Sequence, residues 1–186
     1  MRRLVSAIVL LVALGCPPLL HAQQVQVGGS YALLSLTYPD QIPSGFGGWL
    51  TWGQTPALEF DLGVNLFPED HPIIGRQTQF LAGLRSGFRT DRFAAFGRVR
   101  PGVTHFSRRF FAPEIVCIAI FPTPEACLAE KTNFTLDLGG TFEVFPASRM
   151  LLRFDVGDAL IRFSRTEQDP VWKHNFQFSA GAGVRF

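Results

Sequence analysis

His174-Asn175-Phe176-Gln177-Phe178-Ser179-Ala180-Gly181-Ala182-Gly183-Val184-Arg185-Phe186 sorts its side chains by parity. Phe176, Phe178, Ala180, Ala182, Val184 and Phe186 fall on one face of an extended chain. Asn175, Gln177, Ser179, Gly181, Gly183 and Arg185 fall on the other. Successive side chains of a strand point to opposite faces, so this alternation predicts a strand with one apolar and one polar face. It runs from 175 to 186, longer than the roughly five or six residues of a common soluble strand.

The same reading recurs upstream. Leu58, Phe60, Leu62, Val64 and Leu66 alternate with Glu59, Asp61, Gly63 and Asn65. Phe134, Leu136, Leu138, Gly140, Phe142 and Val144 alternate with Thr135, Asp137, Gly139, Thr141 and Glu143. Arg98, Arg100, Gly102 and Thr104 oppose Val99, Pro101 and Val103. Leu152, Phe154 and Val156 alternate with Arg153, Asp155 and Gly157, but beyond Gly157-Asp158 the apolar residues change phase to Ile161 and Phe163. That change predicts a β-bulge, and Leu33-Leu34 predicts a similar slip in the first strand. Eight strands are expected, at 24–38, 46–54, 57–67, 76–89, 92–107, 132–145, 149–165 and 174–186. Tight turns at 54–56, 90–91 and 146–148 alternate with longer connections around 39–45, 68–75, 108–131 and 166–173. Short turns at one end and longer loops at the other are the layout of an outer-membrane barrel, with both termini at the periplasmic end.

Residues 1–22 read as a secretory signal peptide. Arg2 and Arg3 precede an apolar run, Leu4 to Leu14, and Ala22 closes the segment before Gln23. Leu14-Gly15-Cys16 is a poor match to a lipoprotein cleavage box, since Ala13 and Leu14 fill the two positions before Gly15. The domain expected after processing is 23–186. Beyond the signal no apolar run approaches the ~18 residues of a membrane helix, yet 47% of the chain is hydrophobic and 19 residues are Phe. Without Arg2 and Arg3 the basic residues fall from 17 to 15, equal to the acidic ones, which argues against a nucleic-acid partner. Lys131 and Lys173 are the only lysines. Arginine suits enclosed, carboxylate-paired sites better than lysine does. Cys117 and Cys127, nine residues between them in an exported chain, are expected to form a disulfide.

A lipocalin-type barrel also alternates, with its apolar face inward. Three features favour apolar-out. Glu59, Asp61, Asp137, Glu143 and Asp155 share the polar face with Arg85, Arg98, Arg100, Arg153 and Arg185, a balanced set that an enclosed lumen requires. Gly63, Gly83, Gly87, Gly102, Gly139, Gly181 and Gly183 leave room for long arginine side chains in a narrow interior. Aromatics gather near strand ends: Trp52, Phe88, Phe93, Phe145 and Phe186 at the periplasmic rim, Tyr38, Phe46, Phe67, Phe163 and Phe176 at the outer rim. The fold class is all-β: an eight-stranded antiparallel transmembrane up-and-down β-barrel.

With these runs in view, Arg92–Phe106, Phe134–Asp158 and His174–Phe186 resemble the outer-membrane β-barrel family of small eight-stranded proteins, similar to the transmembrane domain of outer-membrane protein A. The resemblance spans most of 24–186. It implies bacterial outer-membrane residence after signal cleavage, and outer-membrane lipids and the barrel-assembly machinery as partners. It also implies that Phe176, Phe178 and Phe186 form the assembly signal. No peptidoglycan-binding domain like that of larger relatives is expected after Phe186.

Three constellations bear on chemistry. His105 and Ser107, at i and i+2 on one strand face, have the spacing for a base and a nucleophile. They resemble the His and Ser of the outer-membrane lipid A deacylases, but Arg108 stands where that family has Asn, and no strand-borne Glu is placed to orient His105. The lumen charges offer an ion path, against which an eight-stranded interior is just filled by side chains. Loop 108–131 carries Arg108, Arg109, Glu114 and an apolar tip, Ile118 to Phe121, between the two cysteines, and is a candidate site for an extracellular ligand. His71 and His174 lack metal-ligand spacing, and no phosphate-binding glycine loop is present, so neither metal nor cofactor is expected. The expected function is non-enzymatic: a barrel with a side-chain-filled lumen that contributes to envelope structure and displays surface loops. A lipid A hydrolase using His105 and Ser107, and a narrow ion channel, are the alternatives.

Overall fold

The computed structural model describes residues 24–38, 40–55, 58–111, 113, 128–163 and 170–186. The predicted signal, the two cysteines and the apolar tip of loop 108–131 lie outside the described residues.

The strands are β1 (Gln24–Thr37), β2 (Asp40–Gln41), β3 (Ser44–Thr55), β4 (Leu58–His71), β5 (Gly75–Arg89), β6 (Phe93–Phe106), β7 (Thr132–Ala147), β8 (Met150–Phe163), β9 (Val171–Lys173) and β10 (Phe176–Arg185). Each long strand pairs antiparallel with the next, and β10 pairs with both β8 and β1, closing an eight-stranded up-and-down barrel. The short β2 extends the β1 edge, and β9 extends β8. Closure pairs both edges of each of the eight long strands, so the barrel wall turns no row of free backbone donors to lipid.

Two of the connections expected to be loops are largely strand. β4 continues to His71 and returns at Gly75, whose φ of 68° suits a residue without Cβ. Residues 40–41 and 44–45 are likewise strand. These hairpins rise past the ~9–11 residues a strand needs to cross the hydrocarbon. At the other side of the barrel the last strand is broken. Asn175 turns inward, and its side chain accepts from Thr37 N (3.0 Å) and donates to Ala159 O (2.9 Å). Asp158 accepts from Asn175 N (2.9 Å) and meets His174 at 2.5 Å.

The two expected bulges are absent. β8 keeps one register against β7 from Arg162 to Leu152 and one against β10 from Asp158 to Met150. β1 keeps one register against β3 and against β10. Odd residues of β8 point inward from Leu151 to Phe163, and even residues of β1 from Gln26 to Leu36. What changes along these strands is the chemistry of the interior, from polar to apolar. The register shifts that do occur lie at strand ends, between Gly53 and Thr55, Phe67 and His71, and Val144 and Ala147.

The outer wall is apolar. Leu50, Phe60, Leu66, Phe80, Val99, Phe142, Phe154 and Val156 all stand exposed on it. Trp52, Phe88, Phe93 and Phe186 hold the short-turn rim, and Phe46 and Phe176 the opposite one. Phe67, Phe145 and Phe163, expected at the rims, are instead buried in the lumen. Parity decides this, since each sits an even number of residues from an inward neighbour: Asn65, Glu143 and Ile161.

Candidate functional site: the packed lumen and its outer mouth

The lumen is filled in layers. At the short-turn end Trp49, Ala94, Phe96, Phe145 and Leu151 form an apolar collar. Trp49 lies against Gly28 and Gly183, where an added Cβ would come within 2.3 Å and 3.0 Å of the indole. The two glycines make the seat that this ring occupies.

Against the collar sit two charge-balanced groups. In the lower one, Arg85 binds Glu59 (2.7 Å through Nε) and Glu143, while Nη2 donates to Gln26 Oε1 (2.8 Å). Arg89 reaches Glu59 (3.0 Å) and Glu143 (3.6 Å) and donates to Gln24. In the upper one, Arg153 clamps Asp61 through two nitrogens (2.9 and 2.8 Å) and meets Asp155 through Nε (2.9 Å). Arg98 bridges Asp137 (2.8 Å) and Asp155, and Arg100 bridges Asp137 (2.9 Å) and Asp61 (3.1 Å). Thr51, Thr141 and Ser179 donate to the remaining carboxylate lone pairs. Two acids face two arginines in the lower group and three face three in the upper. Buried charge is tolerated only with such pairing and hydrogen bonding. Arg85 also lies 4.2 Å over the Phe96 ring and Arg153 5.3 Å from that of Trp49, so the collar supplies cation–π contact from below.

Nine of the ten residues expected in the lumen network are thus brought together. Arg185 stands apart. It is half-buried at the short-turn mouth, donates to Ser148 O (2.7 Å) and lies 4.4 Å over the Phe145 ring. Being next to the last residue of the barrel, it sits below the carboxylates. Arg89 takes the place in the charge balance that Arg185 was expected to fill. It shares the inward face of Arg85 four residues on, a parity signal present in the sequence. Thr141 and Ser179 share the polar parity of their strands, whereas nothing in the sequence marked Gln24, Gln26 and Thr51 as supports of the carboxylates.

Above the charges is a neutral layer, with Asn65 bonded to Gln79 (2.8 Å) and Thr104 to Thr135 (2.7 Å). An apolar cap follows at the long-loop end: Leu34, Leu36, Phe67, Ile74, Phe106, Phe110, Ile161 and Phe163. Phe110 packs edge-on against Phe106 (5.2 Å) and Phe163 (5.8 Å). This cap has no counterpart among the expected site residues. The apparent phase slips at 157–158 and 33–34 were its trace.

His105 and Ser107 share the outward face at the outer rim but are engaged elsewhere. His105 Nδ1 meets Thr132 Oγ1 (2.9 Å), and Ser107 Oγ accepts from Arg76 N (2.8 Å). Arg108 pairs with Asp70 (2.8 Å), both half-exposed. Among the described residues no group of three His, Cys, Asp or Glu is placed to hold a metal. Phe176, Phe178 and Phe186 all face outward.

Neither a protein-family model nor a curated protein matches the chain. Solved structures do. OprG of Pseudomonas aeruginosa matches at a TM-score of 0.59 and 12% identity, over 89% of this chain and 97% of that one. The N-terminal β-barrel domain of Pseudomonas aeruginosa OprF matches at 0.51 and 12%, over 88% and 97%. Ail, the attachment invasion locus protein of Yersinia pestis, matches at 0.51 and 12%, over 88% and 97%. At such identities the likeness is one of fold. With its apolar wall and closed strands, the protein is a transmembrane β-barrel with the fold of the small eight-stranded outer-membrane proteins.

Proposed function

We propose that the protein is a non-enzymatic barrel of the bacterial outer membrane that contributes to envelope structure and carries its long connections at the outer surface. The observation that carries this reading is the stack of collar, ion pairs and apolar cap that fills the barrel from end to end. Among the described residues, ten ion-paired side chains and a cluster of buried aromatics occupy the interior, which supports a filled lumen. Such a core suits a permanent scaffold better than a conduit. The outward Phe176, Phe178 and Phe186 support a role in assembly, with the wall residues meeting lipid. Residues 108–131 are proposed as the contact segment for an extracellular ligand.

The hydrolase alternative is not favoured, because the base and nucleophile candidates bond to Thr132 and Arg76 rather than to each other. Two assays test the proposal, one on the purified protein in bilayers and one in cells. Planar bilayers should show no discrete conductance; regular single-channel steps would refute the filled lumen. Expression in a host with unmodified lipid A should leave its acylation unchanged. A change that Ser107→Ala abolishes would establish the enzyme.

A further inference from the structure

The outer mouth holds a small polar cavity that neither the ion-paired lumen nor the apolar cap uses. It encloses about 130 Å³ and is lined by Gln41, Ile42, Pro43, Glu69, His71 and Gln77. The lining comes from the top of the β4–β5 hairpin and from β2 with the segment after it, both of which extend above the expected membrane span.

The hydrogen bonds around it fix its polarity. His71 Nδ1 lies 3.2 Å from the backbone N–H of Ile73 and 3.1 Å from Gln41 Nε2. Both neighbours are obligate donors, so Nδ1 accepts and the neutral ring carries its proton on Nε2. With its amide nitrogen engaged there, the Gln41 oxygen is left without a donor among the described residues. Gln77 is only 3% exposed, and its Oε1 has no hydrogen-bond partner among the described residues. A buried amide oxygen without a donor is costly and demands an explanation. Glu69 has no ion-pair partner among the described residues, whereas the adjacent Asp70 is neutralised by Arg108. Among the described residues, the cavity therefore has one carboxylate and two amide oxygens in surplus and no cation to match them.

The surplus discriminates between ligands. His71 cannot ligate a metal through Nε2 while Nδ1 holds its two donors. One carboxylate and two amides fall short of the six to eight oxygens, roughly, that calcium gathers. A primary ammonium has three N–H donors, no acceptor and one positive charge, which matches three acceptors of net charge −1. Ile42 and Pro43 offer an apolar wall to a short alkyl stem.

We propose that this cavity binds the primary ammonium group of a small organic cation, held by Glu69, Gln77 and Gln41. The site lies beside the apolar cap, where Gln77 pairs in register with Phe67 and Phe106, and opens at the outer mouth without passage through the barrel, so it stands independently of the filled-lumen reading.

The test uses the full mature protein refolded in micelles with ¹⁵N-labelled glutamine side chains. Resonances are assigned by their loss in Gln77→Leu and Gln41→Met. Chloride salts of n-propylammonium, tetramethylammonium and magnesium are titrated in turn. Propylammonium should shift the Gln77 amide saturably. Tetramethylammonium, equally charged but without N–H donors, should bind at least about tenfold more weakly, as should propylammonium to Glu69→Gln. Gln77→Leu, read at Gln41, should also lose about tenfold. Heat-modifiable gel migration reports the fold of each variant, and the exposed Glu69→Gln is the one least apt to disturb it. Equal binding of tetramethylammonium, a saturable magnesium shift that competes with propylammonium, unchanged affinity in Glu69→Gln, or no saturable shift with any salt would each overturn the proposal.

Discussion

Replacing Arg153 with Met takes away the hub of the upper charge group while keeping most of the side-chain volume. The guanidinium holds Asp61 by two bonds and Asp155 by a third, and lies near the Trp49 ring. Its loss leaves three carboxylates facing two arginines. Asp61 keeps Arg100 (3.1 Å) and Thr51 (3.0 Å); Asp155 keeps Arg98, Thr141 (2.5 Å) and Ser179 (3.2 Å). Breaking a buried pair costs about 3–5 kcal/mol, and these residual partners place the cost near the lower end, about 3 kcal/mol. With a urea slope of about 2 kcal/mol/M for a chain of this size, the unfolding midpoint in lipid vesicles should fall by roughly 1.5 M. Tryptophan fluorescence and gel mobility can follow it. Asp61→Asn added to Arg153→Met restores two acids to two arginines. The double variant should therefore be more stable than the sum of the single effects by about 2 kcal/mol. A midpoint unmoved by Arg153→Met, or strict additivity in the double variant, would refute the idea that charge balance holds this core together.

Other consequences are simpler to read. Arg89→Gln should destabilise by about 2–3 kcal/mol because it leaves Glu59 and Glu143 to share Arg85 as their one arginine, while Arg185→Gln, which among the described residues meets Ser148 O and the Phe145 face, should cost at most about 1 kcal/mol; urea midpoints of the two variants decide. Gly28→Val drives a side chain into Trp49 and Ala182 O (2.3 and 2.6 Å from the first added carbon) and should cost about 1–3 kcal/mol with altered tryptophan fluorescence. Gly48→Val, on the outer wall with its nearest contact at 3.6 Å, should be close to neutral in the same assays. Phe163→Ala, at the centre of the cap, should cost about 3–5 kcal/mol, again by urea titration.

Much of this fold was legible because period-two alternation survives in nearly every strand. Parity alone placed Glu59, Asp61, Asp137, Glu143 and Asp155 on one face and Phe60, Phe142 and Phe154 on the other. The interior at the outer end was not legible for the same reason. There Leu34, Leu36, Ile161 and Phe163 point inward although apolar, so a rule equating apolar with outward inverts and invents a bulge. Register, fixed by both neighbouring strands, overrides that rule. Arg185 was misplaced by a different failure, since parity gives the face but not the height along the barrel. The cavity at the outer mouth arises from hairpin tops distant in sequence, and only the unpartnered Gln77 oxygen draws attention to it.

The most direct test of the central claim, an apolar wall around a filled interior that turns apolar at the top without changing phase, is a cysteine scan of β8. Single cysteines from Leu151 to Arg162, in a protein whose Cys117 and Cys127 are serine, would carry nitroxide labels in lipid vesicles. Accessibility to oxygen dissolved in the hydrocarbon should peak at Leu152, Phe154, Val156 and Leu160 and stay low at Arg153, Asp155, Ala159 and Ile161, with one period of two throughout. A reversal of phase beyond Gly157, or high oxygen accessibility at Ile161, would contradict the account.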